Sequence, residues 1–131
     1  MSRPAELRDV AIVIVEDHAD IRLTISQFLV QQGAKVVAAA NAFEGLQAIK
    51  EHRPDVVLMD IRLPDRDGFE LLQEIRGLEA EGGDSVPVIA MTAYGGIANR
   101  HRTLAAGFQA HLDKPFGPGK LLEAIKSVLK G

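Results

Sequence analysis

The feature that most constrains this chain is an alternation. Five short runs rich in apolar residues, at Val10–Val15, Lys35–Ala40, Val56–Met59, Val86–Met91 and Ala110–Leu112, are each followed by a segment with apolar residues at helical spacing. The first and third runs, VAIVIV and VVLM, are continuous, the mark of strands buried on both faces. Ile21, Ile25, Phe28 and Leu29 define a first helix that Gly33 stops. Asn41 can cap a second helix whose apolar positions include Phe43, Leu46 and Ile49, and Pro54 ends it. Phe69, Leu72, Ile75 and Leu78 mark a third, and the polar stretch EAEGGDS leads on to the fourth strand. A weakly apolar helix is expected at Ile97–Ala106, and Leu121, Leu122, Ile125, Val128 and Leu129 mark a final amphipathic one. Five βα units predict an α/β protein, a doubly wound parallel sheet with right-handed crossovers. Residues 1–131 are expected to form a single domain with its core at about 10–129.

Composition closes off several alternatives. With no Cys, disulfides, thiol catalysis and thiolate metal sites are excluded, and a reducing compartment is suited. No apolar run is long enough to span a membrane, and MSRPAELRD does not read as a signal peptide. These features give a cytoplasmic expectation. The formal net charge of −3 argues against a general nucleic-acid binder. The charge is uneven: the last quarter of the chain is basic, with Arg100, Arg102, Lys120 and Lys126 offering a partner or dimer face or simply a solvated one.

Ligands of open parallel sheets gather at the carboxyl ends of the strands. There strand one ends in Glu16-Asp17, strand three in Asp60, strand four in Thr92 and strand five in Asp113-Lys114-Pro115. Each residue alone has an ordinary account. An acidic pair opens a helix, Thr92 is a β-former or a cap, Lys114 lies on the surface, and Asp60 begins a turn. One site explains all of them together. Glu16, Asp17 and Asp60 would converge, and three close carboxylates repel strongly. Lys114 offsets one charge, and a hard divalent cation, Mg²⁺ or Mn²⁺, suits an all-oxygen donor set. A carboxylate, a cation, a hydroxyl and a lysine suit phosphoryl transfer with Asp60 as nucleophile.

The ordered set VED, MDIRLPDRDG, MTA and DKPF, each at a strand end, resembles the response-regulator receiver domain of two-component phosphorelays. The resemblance covers about Val10 to Leu129. It implies a flavodoxin-like (βα)5 fold with strand order 2-1-3-4-5. It implies that Asp60 is the phosphoacceptor, that Glu16, Asp17 and Asp60 hold Mg²⁺ with the backbone carbonyl of Arg62, and that Thr92 and Lys114 bind the phosphoryl group. Lys114-Pro115 is expected to be cis. Gly68 is expected at a positive φ, and Ala93 to leave room beside the phosphoryl group. The run TAYGGIANRHRTLAAGFQAHLDKPF and the opening ELRDVAIVIVED are similar to receivers carried by hybrid sensor histidine kinases. The chain is therefore expected to be either an excised receiver or a natural single-domain regulator, and no output domain is recognisable before Gly131.

The resemblance also implies a switch. The phosphoryl group would draw in Thr92 and Lys114, with hydrogen bonds to charged groups worth roughly 1.5–3 kcal/mol each. The loop Tyr94-Gly95-Gly96 would move, with output through helix 4, strand 5 and helix 5. His111 stands where the family has an aromatic switch residue, or else it is a half-buried strand histidine. Arg62 and Tyr94, each two residues past a site residue, are expected to flank the pocket and tune phosphoryl lifetime. His18, His52 and His101 show no ligand spacing and read as surface residues. The implied donor is a histidine kinase or a histidine phosphotransfer domain; an unidentified downstream protein and a weak homodimer complete the expected partners. Competing readings are a degenerate receiver used only for binding, and an aspartyl phosphatase, which would want a second aspartate where Arg62 stands. A dinucleotide-binding domain fails because VEDHAD, not G-x-G-x-x-G, follows strand one.

Overall fold

The structure, a computed structural model, describes residues 6–80, 85–93 and 97–130. Its elements run β1 (Ala11–Val15), α1 (Ala19–Gln31), β2 (Lys35–Ala39), α2 (Ala42–His52), β3 (Val56–Asp60), α3 (Gly68–Ala80), β4 (Val88–Thr92), α4 (Ile97–Ala106), β5 (Ala110–Asp113) and α5 (Pro118–Lys130). All strand pairs are parallel, in the order β2-β1-β3-β4-β5. β3 and β4 are buried along their whole length, which is why their sequences show no polar alternation.

Because side chains alternate across a strand, the sheet feeds two cores. Ile12, Ile14, Leu58, Ile89 and Met91 meet Ile25 and Leu29 of α1 and Leu121 and Ile125 of α5 on one face. Val13, Val15, Val57, Met59, Val88 and Ala90 meet α2 and α3 on the other, with Phe108 closing that cluster. The core also begins earlier than expected. Leu7 is buried in the first cluster, and its N–H donates to the Gln32 carbonyl at 2.8 Å.

Some details differ from the sequence expectation. β4 begins at Val88, not Val86, since Pro87 has no N–H to give a ladder. As expected, β3, β4 and β5 end in Asp60, Thr92 and Asp113, one residue beyond their apolar runs. The second helix turns a different face inward. Ala42, Gly45, Ala48 and Ile49 are buried, while Phe43 is 62% exposed. A Cβ on Gly45 would stand 2.7 Å from Val15 Cγ2, so small residues set how closely this helix lies on the sheet. Leu129 is likewise exposed rather than core-facing. The helix after β1 does stop at Gly33, at φ 96°, and α2 ends at His52, two residues before Pro54, with Arg53 in the left-handed region.

Candidate functional site

β1 delivers the first carboxylates. Glu16 extends the β1–β2 pairing through its N–H to the Ala39 carbonyl at 3.0 Å, and its side chain is fully buried. Arg22, one turn into α1, folds the loop back by donating to the carbonyls of Glu16 (2.7 Å) and Asp17 (3.3 Å). His18 begins α1, and its N–H and ring Nδ1 both meet Glu16 Oε2 at 3.1 Å. Asp17 Oδ1 is 3.4 Å from that same nitrogen, yet it is buried without a hydrogen-bond partner. A buried lone carboxylate oxygen is costly unless a cation meets it, so this atom fits a metal ligand.

β3 delivers Asp60, 5% exposed, in register with Met91 of β4. The Arg62 N–H donates to its Oδ1 at 3.0 Å. Gly68 closes the loop with an N–H bond to the Ile61 carbonyl at 2.6 Å. The expectation of a positive φ at Gly68 is not met: among the described glycines only Gly33 and Gly107 adopt one. Glycine is required there because a Cβ would lie 2.9 Å from Ile61 Cα and 3.0 Å from the Asp60 carbonyl oxygen. The same loop reaches sideways. Asp65 accepts the N–H groups of Ala42 (2.9 Å) and Phe43 (3.0 Å) at the start of α2, while Asn41 Oδ1 accepts the Glu44 N–H (2.8 Å) and Glu44 Oε1 accepts the Ala40 N–H (3.1 Å).

β5 delivers the cation. Lys114 N–H bonds the Thr92 carbonyl at 2.8 Å, carrying the ladder one step past Asp113, and the Lys114–Pro115 peptide is cis. The Lys114 ammonium then donates to Glu16 Oε1 at 2.5 Å and Asp60 Oδ2 at 2.8 Å. Glu16, Asp17, Asp60 and Lys114 are thus brought together from three strand ends. Thr92 is buried at the neighbouring end of β4, while Ala93 and Arg62 are exposed. Tyr94, Gly95 and Gly96 lie outside the described residues.

The charges do not balance locally. Burial raises Asp60, and the Glu16 charge adds to this; hydrogen bonds from Lys114 and the Arg62 N–H oppose it, and the net direction is up. Burial also pushes Glu16 up, but the Lys114 and His18 hydrogen bonds outweigh it and hold Glu16 below its ordinary value. Lys114 is raised: burial would lower it, and the bonds to Asp60 and Glu16 more than compensate. Glu16 therefore keeps its charge with the lysine, and Asp60 is the carboxylate left in want of positive charge.

Two findings were not foreseen. His18 is exposed as expected, yet it joins the acidic cluster, since one donor atom from each of Glu16, Asp17, His18 and Asp60 lies within 4.8 Å of the other three. Its adjacency to the acidic pair was the signal, hidden because a single histidine shows no spacing. His111 is not half-buried: its imidazole has no exposure, and it bonds Thr103 Oγ1 of α4 through Nδ1 (2.7 Å) and Asp113 Oδ1 through Nε2 (2.6 Å). Of the basic surface residues, Arg102 lies over the Phe69 ring at 4.4 Å, and Lys126 pairs with Glu6 at 2.7 Å.

Comparison with known proteins places this geometry in context. The sequence model of the response regulator receiver domain matches residues 12–126. Chemotaxis protein CheY of Bacillus subtilis is 37% identical over 119 residues, covering 90% of this chain and 96% of that protein. Sporulation initiation phosphotransferase F of the same organism is 31% identical, covering 90% and 92%. A CheY-like receiver domain protein from Methanospirillum hungatei, known by its crystal structure, superposes with a TM-score of 0.82 at 36% identity over 93% of this chain and 94% of that one. Other relatives are longer: the chain covers 45% of the probable transcriptional regulator ycf27 of Guillardia theta, at 37% identity.

Proposed function

Because the chain belongs to the response regulator receiver family, we propose that it works as a phosphoacceptor switch with Asp60 as the acceptor. One observation carries this reading: Asp60, buried at the end of β3, shares the Lys114 ammonium with Glu16 beside the unpartnered oxygen of Asp17. An Asp60 oxygen forms the new P–O bond as the P–N bond of a phosphohistidine donor breaks. The bonding pair leaves on the donor imidazole, which takes a proton from solvent. Acetyl phosphate can stand in as a small donor, its leaving group being acetate.

The donor set fits Mg²⁺ or Mn²⁺, with Asp17, Asp60 and the Arg62 backbone carbonyl as ligands and Glu16 supporting them. The ion, when bound, supplies positive charge to the phosphoryl oxygens. This chain's own part is to hold Asp60 ionised and aimed, which the Arg62 N–H and Lys114 do, and to move Lys114 and the Thr92 hydroxyl onto the phosphoryl oxygens. That shift pulls the ends of β4 and β5 together. His111 is tied to both Asp113 and Thr103, so the change passes from β5 into α4 along hydrogen bonds, toward the α4–β5–α5 face. Arg62, exposed two residues past Asp60, tunes the lifetime of the phosphoryl group.

In this reading the domain turns over no external metabolite; it assists its own phosphorylation and hydrolysis. Its donor is a histidine kinase or histidine phosphotransfer domain, and its place is the cytoplasm. Among the described residues no helix is long and apolar enough to cross a membrane. The test is intact mass after incubation with acetyl phosphate, with and without Mg²⁺, on wild type and Asp60→Asn. One phosphoryl group, added only with Mg²⁺ and absent from the variant, is the expected result. A folded wild type that takes up neither phosphoryl nor Mg²⁺ would leave only a binding module.

A further inference from the structure

We propose that His18 is a ligand of the carboxylate pocket, its imidazole Nδ1 joining Asp17 and Asp60 on the divalent cation and tilting the site toward cations that accept nitrogen. The inference rests on the reading of that pocket as a cation site and goes beyond the all-oxygen donor set.

His18 occupies the N-cap of α1, yet its side chain makes no cap bond. The ring turns instead toward the acidic pair, with Nδ1 at 3.1 Å from Glu16 Oε2 and 3.4 Å from Asp17 Oδ1. Neighbouring ligands on an octahedral ion with bonds of about 2.1 Å stand about 3.0 Å apart, and opposite ones about 4.2 Å. The observed 3.4 Å between Nδ1 and Asp17 Oδ1 asks for a contraction of about 0.4 Å to the adjacent spacing, and the 4.8 Å limit over all four residues exceeds the opposite spacing by about 0.6 Å. Asp17 Oδ1, buried and without a hydrogen bond, is the oxygen nearest to this arrangement's needs.

The other polar groups of the pocket are already engaged. Lys114 holds Glu16 Oε1 and Asp60 Oδ2, and the Arg62 N–H holds Asp60 Oδ1. The His18 side chain is 65% exposed, so the ring can adjust without disturbing the core. Without a cation Nδ1–H donates to Glu16 Oε2; a bound cation displaces that proton, so that the ring keeps its proton on Nε2 and turns the Nδ1 lone pair to the metal. Carboxylates and carbonyls suit Mg²⁺ and Mn²⁺, whereas imidazole raises affinity for Co²⁺ and Ni²⁺.

The experiment uses the full chain as wild type, His18→Gln and His18→Ala, with folding checked by circular dichroism. Electron spin-echo modulation of the Mn²⁺-loaded protein reads nitrogen at the metal directly. Calorimetric titration with Ni²⁺ and Mg²⁺ gives the preference between them. We expect a ¹⁴N coupling in wild type that both variants lose, and a Ni²⁺-over-Mg²⁺ preference that falls about 10-fold or more in the variants, the scale on which groups around a metal act. Mg²⁺ binding without any ¹⁴N coupling, or with an unchanged preference in the variants, overturns the role of His18 and leaves the phosphoacceptor reading intact. Failure of wild type to bind any of these cations overturns both.

Discussion

At the amino end of the sheet, Arg76 of α3 donates to the Val86 carbonyl (2.8 Å), to the Glu79 carboxylate (2.9 Å) and to Gln109 Oε1 (3.1 Å). Glu79 in turn accepts the Val86 N–H at 2.6 Å, and Gln109 Oε1 accepts the Val88 N–H at 2.8 Å. At the carboxyl end, Glu16, Asp17 and Asp60 face Lys114, and Asp17 Oδ1 has no hydrogen bond at all. Both networks are partly buried and both join several elements. In the first every charge meets its opposite within one cluster, so it serves only to fasten β4 and β5 to α3. In the second negative charge exceeds positive, and the protein retains an arrangement that costs stability. A polar network that closes on itself reads as structure, whereas one that leaves charge unmet points to a ligand.

The contrast can be broken by mutation. Arg76→Ala strands the Glu79 carboxylate and the Val86 carbonyl, and should cost about 2 kcal/mol, the scale of hydrogen bonds to charged groups. Chemical denaturation measures that loss, while phosphorylation of the folded fraction by acetyl phosphate should be unaffected. A variant as stable as wild type would mean that the amino-end network fastens nothing.

Asp65 lies at the carboxyl end but belongs to the closed kind. Asp65→Ala leaves the Asn41 cap in place but removes the partner of the Ala42 and Phe43 N–H groups, and should cost about 1 kcal/mol at neutral pH. Desolvation, the largest single cause, raises its pKa, but the backbone hydrogen bonds, those from Ala42 and Phe43 foremost, together outweigh it and lower the pKa. Its contribution is therefore complete above the ordinary aspartate range and is lost as pH falls through the lowered folded value. The difference between wild type and variant in thermal midpoint should shrink toward zero on acidification, and a constant difference would refute the Asp65 cap.

Asp60→Asn should show the smallest effect and the opposite sign. Burial and the Glu16 charge raise Asp60 despite its partners. Its ionised form costs stability above that raised value, and the cost disappears as pH falls below the ordinary aspartate range. The asparagine variant should thus melt slightly higher than wild type near neutral pH, with the advantage vanishing in acid. A lower midpoint would show that the Lys114 bond outweighs burial and would place this end with the closed networks.

The carboxyl end was largely legible because its residues adjoin the apolar runs that define the strands. Glu16, Asp60, Thr92 and Lys114 needed only the rule that parallel strands end together. The amino end was not legible. Arg76 three residues before Glu79 looks like a solvated helix pair, and its other acceptors lie 10 and 33 residues further on. The Asp65 cap crosses 22 and 23 residues and was hidden for the same reason. Phe43 misled because periodicity rewards large side chains, while α2 packs through Ala42, Gly45 and Ala48. His111 was placed in its strand, but nothing local announced Thr103 as its partner.

The Asp65 contact ties two parts of the molecule that would otherwise be read separately. The segment following the acceptor is anchored, through two amide protons, to the first turn of a helix on the flank of the sheet. On the proposed reading of Asp60 as the acceptor, strain from its phosphorylation has a second exit besides the β5 side. The backbone nitrogens of Ala42 and Phe43 form a natural gauge of that strain, remote from the phosphoryl group and independent of α4. A receiver wired this way can present two surfaces that respond to one event, and a partner seated on α2 could sense the state of the pocket without touching the opposite flank.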